Sequence, residues 1–283
     1  MAPSVLITGT SKGGIGDSLA HEFHRRGYKV FATARNLQKV QHFEQAGITV
    51  VKLDVTEPET IKSAVKEVEA ATGGRLDILV NNSGTAYSMT VLDSDIEAVK
   101  QMFDVNFFGV LRVTQAFSPL VIAARGKIIN ISSIAGEFPN NFTGAYNASK
   151  AALSSISDSM RIELAPFGVK VTTVLAGTVA TNLLHSDATI SLPPGSRYLP
   201  IQSQAEPVLN GRDLQAGAMD PAKFAKRVVN EATRTSPTAR LWYGTNAALI
   251  WFMTTFFRHT FLDSMLSKQS GLAALAKLLS RAH

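Results

Sequence analysis

Short runs of β-branched and aliphatic residues alternate with longer amphipathic stretches through the first two-thirds of the chain. The apolar runs fall at residues 5–8, 29–33, 49–53, 76–80, 126–131 and 169–175. Most are continuous rather than alternating, which is how a parallel strand buried on both faces reads. Helical periodicity fills the gaps, over 15–26, 37–46, 58–72, 96–124 and 144–167. Strands alternating with helices predict βαβ units and an α/β fold, a doubly wound parallel sheet with helices on both faces.

The last third reads differently. Residues 184–219 are rich in Pro, Ser, Gly and Gln with little periodicity, the pattern of a long functional loop. A helix over 221–234 and a strand over 239–243 follow. No internal repeat and no linker divides the chain. The expected organisation is one domain over 1–243, with 184–219 as a variable loop near substrate, and an apolar helical extension over 244–283.

The first apolar run leads into Thr8-Gly9-Thr10-Ser11-Lys12-Gly13-Gly14-Ile15-Gly16 and then a helix. Strand, glycine loop and helix make the context for binding a dinucleotide pyrophosphate, as in a Rossmann fold. Glycines let the backbone turn and approach the phosphates, and the helix N-terminus offers free N–H groups and partial positive charge. A Mg–ATP loop would need Gly-Lys-Ser/Thr where Gly14-Ile15-Gly16 stands. An NAD site places an acid about 20 residues past the glycines. Here the second strand ends Thr33-Ala34-Arg35-Asn36, and the next acid is Glu44. Arg35 and Lys12 are suited to a 2′-phosphate, so NADP(H) is the expected cofactor.

A second block, Ile131-Ser132-Ser133, ends the fifth run, and Tyr146 and Lys150 follow. A spacing of four puts Tyr146 and Lys150 on one helix face. A phenol titrates near pKa ~10, and a neighbouring ammonium is expected to lower it. Ser133 is placed to donate to a carbonyl oxygen as it gains charge.

In combination these residues resemble the short-chain dehydrogenase/reductase family over about residues 4–243. The resemblance rests on Thr8-Gly9, Gly14-Ile15-Gly16, Asp54-Val55, Asn81-Asn82-Ser83-Gly84, Asn106, Ser133 and Tyr146-Asn147-Ala148-Ser149-Lys150. It implies that Tyr146 is the acid in reduction and the base in oxidation. Lys150 then binds the nicotinamide ribose and tunes Tyr146, Ser133 polarises the carbonyl, and Asn106 holds a water in a proton relay through Lys150. It implies a cofactor cleft lined by Gly9, Ser11, Lys12, Gly13, Gly14, Ile15, Gly16, Arg35, Asp54, Val55, Asn82, Gly84, Gly177, Val179 and Thr181. Three departures stand out: the glycine loop is one residue longer, leaving Gly13 or Gly14 for its middle role. Ser83 replaces the usual alanine, and Ala176 precedes Gly177 where a proline is usual.

Residues 247–257 are nearly all apolar. A membrane span needs about 20 such residues, and Arg258-His259 interrupt this one. Two roles are open: an interfacial helix on a membrane or lipid droplet, with contact through 247–281, or packing over the cleft or a partner subunit. The longer glycine loop and this tail resemble the branch of fungal and yeast reductases acting on 1-acyldihydroxyacetone phosphate, with relatives acting on terpenoid or polyketide ketones and alcohols. The expected substrate is an apolar ketone or alcohol, and Arg197 and Arg212 are candidate cations for a phosphate-bearing one. The long helices 96–124 and 144–167 suit a homodimer or tetramer, as the family resemblance implies.

The chain of 283 residues has no cysteine, which excludes disulfides, thiolate metal sites and a cysteine nucleophile. Its net charge of +6 comes without a basic run, so no nucleic-acid partner is expected. His21 and His24 lie three apart on a helix, close enough to share a metal, but no carboxylate or third histidine is expected to complete a site, so no metal is expected. The first residues carry neither a basic segment nor a long apolar one. An intracellular location is expected, in the cytosol or on the cytosolic face of the endoplasmic reticulum or a lipid droplet.

Overall fold

A computed structural model describes residues 2–181, 189–211 and 217–282. Seven parallel strands form one sheet in the order β3-β2-β1-β4-β5-β6-β7. They are β1 Ser4–Ile7, β2 Lys29–Ala34, β3 Thr49–Lys52, β4 Ile78–Asn81, β5 Lys127–Ser133, β6 Lys170–Ala176 and β7 Arg240–Tyr243. All were expected within two residues of these bounds. The order reverses between β1 and β4, which pair Val5 with Ile78 and Ile7 with Val80. At such a switch point the loops leaving the two strands diverge and open a cleft at their carboxyl ends.

Helices cover both faces. On one side α1 (Ile15–Arg25) and α8 (Pro221–Ala232) pack together, burying Phe23, Phe43 and Phe224 against Val5, Ile7 and Val80. On the other, α3 (Pro58–Thr72), α5 (Gly109–Ala124) and α6 (Gly144–Glu163) bury Ile61, Val68, Phe117 and Met160 against Leu6, Leu79 and Ile128. Pro58 opens α3 and Gly73, at φ 65°, closes it in the left-handed conformation that glycine tolerates.

Three expected helices differ in detail, and one helix forms that was not expected. Residues 96–124 are apolar and long enough to cross a bilayer by composition alone, yet Val113, Phe117, Leu120 and Val121 build the core. This stretch divides into α4 (Ile96–Phe103), a π-turn at Asp104–Phe108 and α5. The 37–46 stretch is a 3-10 turn, Leu37–Val40, followed by the short α2, His42–Gln45. Helix α6 stops at Glu163, because Pro166 and a left-handed Gly168 end the periodicity seen to residue 167. Within 184–219 a helix was not expected, but α7 (Gln202–Leu209) forms there despite Pro207. Its stabilisation is tertiary: Ala205 and Leu209 pack with Phe142, Leu192 and Ile201.

The C-terminal residues form α9 (Ala247–Phe256), α10 (Asp263–Gln269) and α11 (Leu272–Ala282). Ala247 and Ile250 of α9 pack on Ile134 and Leu175, while Leu275 of α11 joins the α7 cluster. Asn141 Nδ2 donates to the Leu266 carbonyl and to Ser270 Oγ, each at 2.9 Å. The outer face of α9 leaves Leu249, Trp251, Phe252 and Phe256 exposed.

Phe117 is fully buried between α5 and the sheet. Phe117→Ala is expected to cost about 3–5 kcal/mol, read as a lowered denaturant midpoint at unchanged slope.

Candidate active site

The glycine loop is held from three sides. Thr10 N donates to the Thr33 carbonyl at 3.0 Å, tying the loop to the end of β2. Asn82 Nδ2 donates to the carbonyls of Thr8 (2.9 Å) and Gly9 (2.8 Å), tying it to the end of β4. Asp17 Oδ2 accepts from Gly13 N at 2.8 Å. That carboxylate, in the first turn of α1, closes the loop much as a capping box closes a helix start. Gly13 sits at φ 77° and takes the left-handed turn, while Gly14 caps α1. This settles which glycine absorbs the extra residue. Gly16 permits a close crossing, since a Cβ there would lie 2.4 Å from the Gly9 carbonyl oxygen and 2.6 Å from Asn82 Nδ2. Asn82, expected to line the cleft, braces the glycine loop with its side chain. Asp17 was not singled out from sequence, although an acid in the first turn after a glycine cap is the available signal.

The rim of the cleft carries the expected cations. Arg35 follows β2 and Lys12 lies in the glycine loop, both exposed. Lys12 N donates to the Lys39 carbonyl, so the two loops are in contact. Asp54 Oδ1 accepts from Thr56 N and Oγ1 at 3.0 and 2.8 Å, which orients the turn after β3. Val55 is buried against Gly109, where a Cβ would come within 2.7 Å of Val55 Cγ2. On the far side, Gly177 and Gly244 cross: Gly177 N donates to the Tyr243 carbonyl, and a Cβ on Gly177 would lie 2.1 Å from the Thr245 carbonyl oxygen. Val179 and Thr181 follow, both buried. Arg197 is exposed beside the 3-10 turn at Leu199–Ile201. Arg212 lies outside the described residues.

The reactive groups gather at the carboxyl end of β5. Ser132 Oγ donates to the Lys150 carbonyl and contacts Ser154 Oγ, both at 3.0 Å, locking α6 onto the strand. Small residues make this approach feasible, as a Cβ on Gly136 would sit 2.7 Å from Ala151 N. A buried polar chain reinforces it: Asn81 Nδ2 donates to Asn130 Oδ1 (2.8 Å), and Asn130 Nδ2 to Ser157 Oγ (2.8 Å). Ser133 Oγ accepts from Ala135 N at 3.1 Å.

Lys150 is 5% exposed, and its Nζ donates to the Ile131 carbonyl at 3.1 Å. The same ammonium lies 5.9 Å from the centre of the Tyr146 ring. Burial pulls the Lys150 pKa down to about 8. Burial pushes the Tyr146 phenol up, while a hydrogen bond with Ser133 pulls the other way. The expected lowering of the phenol by the lysine is therefore not what dominates here. The lysine's strongest contact is with the strand, and desolvation of the phenol outweighs it.

Asn106 is wholly buried in the π-turn, an irregularity that re-aims a side chain inward. Its Oδ1 accepts from Thr85 N at 2.8 Å, and its Nδ2 donates to the Thr85 carbonyl and to Ser149 Oγ. Between Asn106 and Lys150 lies Gly84, where a Cβ would meet Asn106 Oδ1 at 3.4 Å and Lys150 Nζ at 3.5 Å. A side chain there would fill the space beside the ammonium.

A model of short chain dehydrogenases matches residues 3–189. The chain belongs to this family. It is 43% identical over 279 residues to the short-chain dehydrogenase srdE of Neurospora crassa, covering 97% of this chain and 96% of the relative. It is 44% identical over 200 residues to an NADPH-dependent 1-acyldihydroxyacetone phosphate reductase of Schizosaccharomyces pombe, covering 69% and 68%. Among solved structures, a short-chain dehydrogenase from Streptomyces avermitilis superposes with a TM-score of 0.78 at 30% identity over 98% of both chains. The family places a nicotinamide cofactor at the switch point, and this cleft fits one: a glycine cradle, a buried ammonium beside Gly84, and cations at the rim. Met89, Phe142, Leu192 and Tyr198, drawn from the loops after β4, β5 and β6, pack together in one apolar cluster. Two cavities lie elsewhere. One of about 420 Å³ borders the outer face of α6 at Ala151, Ser155 and Arg240, and one of about 290 Å³ lies under Phe138, Phe257 and Leu262.

The depressed lysine predicts a pH limb. Below about 8 Lys150 is an ammonium that would attract an anionic dinucleotide, and above that value the charge is lost. Affinity of the wild-type protein for the dinucleotide is expected to fall as pH rises through about 8. Lys150→Met should bind weakly and show no such limb, and calorimetry at stepped pH measures both. An undiminished limb in the variant would assign it to another group.

Proposed function

We propose that the protein is an NADPH-dependent carbonyl reductase, working as an alcohol dehydrogenase in the reverse direction, on an apolar ketone. The observation that carries this reading is the convergence of Tyr146, Lys150 and Ser133 at the end of β5, across the cleft from the glycine loop. When bound, the nicotinamide supplies or accepts the hydride. The chain's own groups do the rest. Ser133 donates to the carbonyl oxygen, and Tyr146 delivers its phenolic proton to that oxygen as charge develops. The ammonium of Lys150 stabilises the phenolate that remains, and Asn106 holds the backbone of Thr85 beside it.

The preference for NADPH is supported by Arg35 and Lys12 on the rim and by the absence of an acid from the end of β2 up to Glu44. It is further supported by the NADPH dependence in the name of the Schizosaccharomyces pombe relative. An apolar substrate is supported by Met89, Phe142, Leu192 and Tyr198. The substrate classes to test are 1-acyldihydroxyacetone phosphate and terpenoid or polyketide ketones. The match to srdE runs through the C-terminal helices, whereas the reductase match covers 69% of the chain.

Loss of NADPH absorbance against a panel of these ketones tests the reading, with the matching alcohols and NADP⁺ run in reverse. Turnover of at least one apolar ketone with NADPH well above NADH is expected, and Arg35→Ala should narrow the NADPH preference at least tenfold. Equal use of NADH by the wild type would overturn the cofactor assignment. Silence with every ketone and alcohol would overturn the substrate class.

A further inference from the structure

Asp17 Oδ1 faces two imidazoles. His42 Nε2 lies 2.8 Å from it and His21 Nε2 3.5 Å, and the three ligating atoms all fall within 4.8 Å of one another. The expectation that no carboxylate or third histidine joins His21 is corrected here. The partner histidine is His42 rather than His24, and it comes from α2, on a separate segment that sequence spacing does not connect. Asp17 and His21 are one helical turn apart on α1 and share a face.

Each donor is oriented independently of the other two. The backbone N–H of Gly13 holds Asp17 through its other oxygen, Oδ2, leaving Oδ1 turned to the rings. Phe43, fully buried, supports both imidazoles, with ring centres 4.1 Å from His42 and 5.2 Å from His21. Two neutral imidazoles and one carboxylate are a donor set suited to zinc and neighbouring divalent ions. With metal–ligand bonds of about 2.0–2.2 Å, tetrahedral ligands stand about 3.3 Å apart. The two distances to Asp17 Oδ1 bracket that value, and His21, about half exposed, has room to swing in.

We propose that Asp17, His21 and His42 form a binding site for a divalent transition metal, with zinc as its representative, that clamps the glycine loop. The metal replaces the proton shared by His42 Nε2 and Asp17 Oδ1, and that proton moves to Nδ1 of the same ring. Solvent fills the remaining position. The bound ion joins α1 to α2 across the loop that carries Gly13, and α2 lies just past Arg35 at the cleft rim. Metal and dinucleotide therefore bind cooperatively, each tightening the other by the same factor. The metal site stands on its own geometry, while the clamp rests on the dinucleotide reading given above.

The test is titration of tag-free protein with zinc chloride by calorimetry, with cobalt(II) absorption reporting coordination geometry. The chain has no thiol to capture either ion. One equivalent is expected in the wild type, with affinity at least tenfold weaker in His21→Ala and in His42→Ala. His24→Ala, altered on the same helix outside the cluster, should match the wild type. His21→Ala removes an exposed side chain, so its fold is retained, and a zinc-dependent rise in melting temperature should vanish in it. No zinc uptake by the wild type, or equal affinity in His21→Ala, would overturn the site. NADP⁺ affinity is then measured with and without zinc. Several-fold tightening in the wild type and none in His21→Ala is expected, and equal affinities would overturn the clamp. Failure of NADP⁺ to bind under any condition would count against the cofactor reading, while the zinc titration still decides the metal site.

Discussion

A single buried ammonium organises the reactive end of this molecule. Lys150 is almost fully enclosed where α6 meets β5, and its ammonium donates to the Ile131 carbonyl. Burying a charge in this way works against folding, which is why its pKa is held at about 8. The sign follows directly. Between about 8 and the ordinary lysine value of 10.5 the folded chain holds fewer protons than the unfolded one, so this group's contribution to stability rises with pH across that window. At neutral pH the charge is retained at a cost in stability, and the return is chemical: it sits beside the Tyr146 ring and the open space at Gly84. Ser132, Asn130 and Ser157 bind α6 to the strand so that the ammonium cannot turn toward water.

The opposite wall of the cleft follows a different logic. There the backbone is the binding element, and side chains serve to hold it. Asn82, Thr10 and Asp17 secure the glycine loop to β4, β2 and α1 in turn. The sheet order makes this possible: β1 and β4 are adjacent, so loops distant in sequence meet at one edge. The pairing of β1 with β2 brings His42 to Asp17, joining the segment after β2 to the start of α1.

Much of this was legible from residue order. Mostly continuous apolar runs located the first six strands, because a strand buried on both faces has little polar alternation to blur it. Tyr146 and Lys150 were legible because helical spacing places them on one face whatever the rest of the chain does. The misses share a cause, since each depends on contacts between segments far apart in sequence. Helix α7 forms despite weak periodicity because Phe142 and Leu192 cover it. The π-turn at Asn106 is invisible in a pattern that reads as one long helix. The phenol of Tyr146 is governed by burial, which no spacing reveals. Asp17 and His42 are 25 residues apart and meet only through the fold.

The central claim is that the constellation at the end of β5 performs proton transfer on a site that binds its dinucleotide independently. Tyr146→Phe removes one hydroxyl and leaves the ring, Lys150 and the glycine loop in place. Its dinucleotide affinity and its turnover of whichever ketone the wild type accepts should be measured side by side. The account predicts affinity within a few-fold of wild type and turnover reduced by at least about a thousandfold, within reach of losing a positioned acid and its oxyanion contact together. Turnover near the wild-type level would contradict it, because another group would then be supplying the proton.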